Sequence, residues 1–193
     1  MLTLDHLSFR YDDSPCLENI TLQCPKASLW TAPNGYGKTT LLRLIAHELF
    51  PLQGAIAIDG NTTYTAAFCP SPKLLFDDLS IQTHINWLKA QFNIPQSELS
   101  RWLDVFQLSA LSRMPKELSN GEKQWLLLAI TCIMPADIAL FDEPLQSLDD
   151  SKIERFPQII QNKIVTGTHI LVTGHTLCKQ MLSNILTPVS IRP

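Results

Sequence analysis

The stretch Ala32-Pro33-Asn34-Gly35-Tyr36-Gly37-Lys38-Thr39 constrains the fold more than any other part of the sequence. A short apolar run, Ala27 to Thr31, leads into it. A helical stretch follows from Lys38 to Leu49, with Leu41, Leu42, Ile45 and Leu49 recurring at helical spacing. Pro51 and Gly54 end that stretch. Small residues let consecutive backbone N–H groups turn inward and come close to an anion. The helix then directs its positive end at the same point. In such a loop Lys38 reaches the β- and γ-phosphates of a nucleotide, and the Thr39 hydroxyl is a ligand for Mg²⁺. The competing reading is a Gly-rich turn capping an ordinary helix.

The rest of the pattern is mixed α/β. Leu2, Leu4 and Leu7 to Phe9 read as a first strand and Ile20 to Cys24 as a second, with further strands at Ala55–Asp59 and Tyr64–Cys69. Between Pro70 and Glu117 no strand is expected. Ser80 to Phe92 and Ser97 to Leu108 read as helices, with a shorter one before Pro115. A helix from Ser119 to Met134 precedes the continuous apolar run Ile138 to Phe141, the mark of a parallel strand covered on both faces. Then come a helix near Ser151 to Lys163, a strand at His169 to Thr173, a helix after His175 and a last strand near Ile185 to Ile191. This alternation predicts a mostly parallel sheet with helices on both sides. We read residues 1–193 as one domain, with a core of 1–69 and 118–193 and a helical lobe of 70–117.

Asp142 and Glu143 follow the buried run at Ile138. Ligands of open α/β sheets bind at the carboxyl ends of strands. Asp142 is placed there to hold Mg²⁺ through water, and Glu143 to orient and deprotonate the water that attacks a γ-phosphate. Taken alone, the pair also reads as two solvated acids where a strand meets a loop.

Composition narrows the class. Hydrophobic residues make up 45% of the 193 residues and charged residues 17%, which supplies a core and argues against disorder. A net charge of -3 does not suit a general nucleic-acid binder. The longest apolar run, Trp125 to Met134, falls short of the ~20 residues of a membrane helix. No basic segment followed by an apolar one opens the chain, so no secretory signal is expected. Cys16, Cys24, Cys69, Cys132 and Cys178 are scattered, without C-x-x-C spacing. Reduced thiols in cytosol are expected, rather than a disulfide framework or a zinc site.

With Ala32 where the first Gly usually stands, the loop resembles that of P-loop nucleotide hydrolases. Over nearly its whole length the chain resembles the ATPase domain of ABC (ATP-binding cassette) transporters. The most specific mark is Leu118-Ser119-Asn120-Gly121-Glu122, similar to the family's signature motif before a helix. Ser119 and Glu122 are also the capping box of an ordinary helix start, and the two readings are compatible. The resemblance implies an α/β P-loop NTPase fold with a mostly parallel sheet, flanking helices, an N-terminal antiparallel β part and an inserted helical lobe. It implies ATP and Mg²⁺ bound by Asn34, Gly35, Gly37, Lys38, Thr39, Thr40 and Asp142, with Tyr11 stacked on adenine. By itself Tyr11 reads as a half-buried surface aromatic. It also implies Glu143 and His175 as catalytic groups, His175 bonding the γ-phosphate, although a lone His after a strand is ordinary. Ser119, Gly121 and Glu122 would contact ATP held by the second subunit of a homodimer, and Asp149 would lie in the loop that reaches across the dimer. Ser147 and Asp150 also have capping-box spacing there.

The pattern has departures. The family's Gln at the entry to the helical lobe aligns with Ser71, whose reach is shorter. Weak basal ATPase with intact ATP binding is therefore expected, and Ser71→Gln is expected to raise turnover. Asn120 stands for Gly, Glu122 for Gln, and Trp125 where Arg is frequent. The resemblance implies separate membrane permease subunits docked on the lobe, no nucleic-acid partner, and a cytoplasmic place on the inner face of the cell membrane. Trp87, Phe92, Trp102 and Phe106 are candidates for the dock, although most of them also read as core of the lobe. Compactness resembles the ATPase subunit of the haem exporter of cytochrome c maturation. The alternatives are a non-transport ABC ATPase and a weakly hydrolysing nucleotide-binding regulatory module.

Overall fold

A computed structural model describes residues 1–12, 14–69 and 75–190. Two sheets form. Strands β1 (Leu2–Tyr11), β2 (Ser14–Cys24) and β4 (Gln53–Ile58) make an antiparallel sheet in the order β2-β1-β4. Strands β3 (Ala27–Thr31), β5 (Ala66–Phe68), β6 (Ile138–Asp142), β7 (His169–Thr173) and β8 (Thr187–Ser190) make a parallel sheet in the order β5-β6-β7-β3-β8.

The first strand explains its own spacing. Leu2, Leu4, Leu7 and Phe9 are all buried, although alternation slips by one between Leu4 and Leu7. The ladder is irregular there, and His6 takes a left-handed φ of 48°. The bulge returns Leu7 to the core face. Gly54 lies opposite, where an added Cβ would meet the Asp5 carbonyl oxygen at 2.3 Å, so that position admits no side chain.

The parallel strands are apolar throughout because each face meets a different core. Trp30, Ile138, Leu140 and Leu171 pack with the antiparallel sheet and with Leu41, Leu42 and Ile45 of α1 (Lys38–Ile45). Leu29, Ala139, Phe141, Ile170 and Val172 face the opposite side. There they meet α4 (Asn120–Ile133), α5 (Asp150–Val165) and α6 (Thr176–Leu182). Between β5 and α4 lie α2 (Ile81–Phe92) and α3 (Gln96–Phe106), which share that second core.

Two details differ from expectation. Helix α1 stops at Ile45, and the Glu48 and Leu49 N–H groups turn back to the Arg43 carbonyl. Between α3 and Pro115 the chain forms turns and irregular backbone, not a short helix. A single 3₁₀ turn, Pro115–Glu117, begins at the proline, because Met114 before it is held extended at ψ 151°. Of the four aromatics proposed for docking, Trp102 and Phe106 are core, while Trp87 is 62% exposed and Phe92 lies at the surface.

Candidate functional site

The order of the parallel sheet sets β6, β7 and β3 side by side, so the residues after their carboxyl ends converge. From β3 the chain enters the Gly-rich loop, in which Gly35 and Gly37 have φ of 80° and 77°. A side chain at Gly37 would also meet Leu17 Cδ2 at 2.8 Å. Gly37 caps α1 without a side-chain hydrogen bond, and no acid occupies the first turn. Helices α2, α4 and α5 are capped by Ser80, Ser119 and Asp149. Helix α1 therefore keeps its first amides for another acceptor, the arrangement an anion needs.

Lys38 is 6% exposed. Its ammonium donates to the carbonyls of Ala32 at 3.0 Å and Pro33 at 3.3 Å, and lies 3.6 Å from Glu143 Oε1. The Thr39 hydroxyl donates to Asp142 Oδ2 at 2.6 Å. These two hard oxygen donors suit Mg²⁺, which takes one or two protein ligands and completes its shell with phosphates and water. Among the described residues no cluster of three or more His, Cys, Asp or Glu side chains forms a dedicated metal cage. His175 Nε2 stands 3.1 Å from Glu143 Oε1. The Tyr11 hydroxyl lies 3.4 Å from Thr40 Oγ1, at the open edge of the loop.

Two residues not singled out in the sequence complete the cluster. The Thr173 hydroxyl donates to Asp142 Oδ1, and the Gln146 amide donates to Glu143 Oε2. A polar residue closing the apolar run Ile170 to Val172 was the available signal for Thr173. Gln146 carried no pattern signal.

Ser119, Gly121 and Glu122 belong to a separate place. Ser119 Oγ accepts from the Glu122 N–H at 3.2 Å, and Glu122 Oε2 accepts from the Ser119 N–H at 2.8 Å, so the capping box is formed. Arg113 donates to Glu122 Oε1 at 2.6 Å. That bond first, and the Ser119 groups next, hold the Glu122 carboxyl at about 2, well below its ordinary range. Gly121 packs against the loop after β6: an added Cβ would lie 2.4 Å from the Ser147 carbonyl oxygen. Asp149, not Ser147, caps α5, accepting from the Lys152 N–H at 3.0 Å. Its bonds to the Lys152 and Ser151 side chains also keep its carboxyl well below the usual range. Among the described residues no hydrogen bond or ion pair joins this group to Lys38, Thr39, Asp142 or Glu143. Ser71 lies outside the described residues.

All five cysteines are free. Burial pushes the thiols of Cys24, Cys69 and Cys178 up to about 11 and that of Cys132 to about 12, so these four are protonated at neutral pH.

Residues 17–146 match the family model described as ABC transporter. The Fe(3+) ions import ATP-binding protein FbpC of Photobacterium profundum is 30% identical over 162 residues, 77% of this chain and 46% of that protein. A putative ABC transporter ATP-binding protein of Methanosarcina mazei is 26% identical over 195 residues, 92% of this chain and 39% of that protein. The chain thus spans under half the length of these two relatives. A solved structure of an ATP-binding subunit of an ABC transporter superposes with a TM-score of 0.86 over 100% of this chain and 86% of that one, at 24% identity.

Proposed function

Since the chain belongs to the ABC transporter ATP-binding family, we propose that it binds ATP at the ends of β3, β6 and β7 and hydrolyses it to drive a separate membrane permease. The observation that carries this reading is the convergence of Lys38, Thr39, Asp142, Glu143 and His175 from three neighbouring strand ends.

In this reading the triphosphate lies on the loop amides of 34–39, where the uncapped start of α1 favours negative charge. Lys38 exchanges its carbonyl contacts for β- and γ-phosphate oxygens. Thr39 and Asp142 hold Mg²⁺, which when bound neutralises charge on those oxygens. Glu143 accepts the proton of the attacking water, and His175, next to the same carboxylate oxygen, bonds the γ-phosphate. Tyr11, beside Thr40, stacks on the adenine. Among the described residues, no hydrogen bond or ion pair joins the helix tip at Ser119, Gly121 and Glu122 to this cluster, which suits use by a second copy. Asp149 lies in the loop between the two copies, with its carboxylate engaged in capping α5.

Among the described residues no helix is long and apolar enough to cross a membrane. In this reading permease subunits carry the membrane step, and the segment 75–117 with exposed Phe76, Leu79 and Trp87 is the proposed dock at the inner membrane face. At the level of cargo we propose haem as the first to test, on the economy of that two-helix segment. Export of haem by cells carrying the chain with its permease supports it, and export unchanged on deletion removes it.

The test of the nucleotide site is calorimetry with MgATP. Loss of a charge-assisted contact to phosphate predicts that Lys38→Ala lowers affinity on the order of tenfold or more. Equal affinity in the variant overturns the site.

A further inference from the structure

Thr173 ends β7 fully buried, beneath the two carboxylates. Its hydroxyl donates to Asp142 Oδ1 at 2.6 Å and accepts from the Glu143 backbone N–H at 3.1 Å. A hydroxyl has one proton to give and two lone pairs to offer, so both bonds form together. With Oδ1 fixed in this way, Asp142 presents Oδ2 to the Thr39 hydroxyl at 2.6 Å, and the carboxylate has no freedom to rotate. One residue on, Glu143 takes a left-handed φ of 43°, a conformation that a residue with a side chain keeps only when its surroundings hold it. Thr173 supplies that hold, through its hydroxyl and through its carbonyl oxygen 3.2 Å from the same N–H. Ile170, Leu171 and Val172 before it are all buried apolar residues. A hydroxyl at this depth is costly unless bonded, and both of its bonds run to the two acidic residues of the site.

We infer that Thr173 is a positioning residue that sets the metal-holding Asp142 and the base Glu143 together. Fully buried, it acts through those two. A neighbouring strand thereby fixes the angle between the metal ligand and the base. The inference rests on the ATPase reading above.

The test is Thr173→Val, which keeps the shape and removes the hydroxyl. Loss of a partner one step behind a metal ligand predicts a fall in turnover of roughly 10–100-fold. KM changes far less than kcat, and Thr173→Ser recovers to within about threefold of wild type. Calorimetry gives a second readout. Affinity for ATP without metal stays at the wild-type value, whereas the gain in affinity on adding Mg²⁺ shrinks. A role in stability alone would lower Tm and leave turnover of the folded enzyme and its Mg²⁺ dependence unchanged; that result overturns the inference. If Thr173→Val does not fold, Thr173→Cys, with its weak donor, is read the same way. Glu143→Gln separates the two claims. Hydrolysis that survives Glu143→Gln removes the ATPase reading and the inference with it. Hydrolysis lost in Glu143→Gln but retained in full by Thr173→Val removes the inference alone.

Discussion

Glu122 binds Arg113 through one carboxylate oxygen and the Ser119 N–H through the other. Its value in the fold, about 2, lies below the ordinary 4.5. A carboxylate lowered by folding contributes its full stability above the ordinary value and loses it as pH falls toward the lowered one. The side chain is 39% exposed, so solvent and salt keep that contribution small. The expected outcome is a stability difference between wild type and Glu122→Gln that is constant from about pH 7 to about pH 5 and shrinks below about pH 4.5. Denaturant midpoints across that range check it, and a difference that does not change with pH contradicts it. At this scale the sequence is legible where partners are close along the chain. The spacing from Ser119 to Glu122 announces the cap. Arg113 does not announce itself, because its approach depends on the 3₁₀ turn at Pro115. Thr173 and Gln146 meet the carboxylates through strand pairing and loop shape, which no local spacing encodes.

Among the elements, α4 is the one whose position matters most to the proposed use of its tip by a second copy. Its first turn rests on the loop after β6, with no room for a Cβ at Gly121 against the Ser147 carbonyl. Backbone cannot give way as a flexible side chain does, so Gly121→Ala must move the helix tip. On the proposed use of this tip by a second copy, the variant keeps nucleotide affinity at its own Lys38 loop and loses turnover by on the order of tenfold or more. Calorimetry and phosphate release measured together check this, and unchanged turnover contradicts it. Element types were legible from periodicity. The continuous run at Ile138 marked a strand buried on two faces, and the two cores confirm why every residue from Ile138 to Phe141 is apolar. Boundaries were less legible. The ends of α1 and of the segment before Pro115 are decided by turns whose hydrogen bonds return to Arg43 and Met114.

At the scale of the whole molecule, the decisive fact is sheet order. The sequence marks β3, β6 and β7 individually but does not say that β7 lies between the other two. That placement brings His175 and Thr173 to the acidic pair, and brings the pair to the phosphate loop. The antiparallel sheet adds Tyr11 and packs Leu17 beneath Gly37, so both sheets shape one loop. Among the described residues, no hydrogen bond or ion pair joins the helix tip at Ser119 to this cluster. The most direct measurement is ATP turnover by the purified chain, wild type beside Glu143→Gln, with ATP binding determined on the same samples. The account predicts that both bind ATP with similar affinity and that the variant's turnover falls by about 100-fold or more, the usual scale for loss of a general base. Equal turnover in the two, or no affinity for ATP in either, would contradict it.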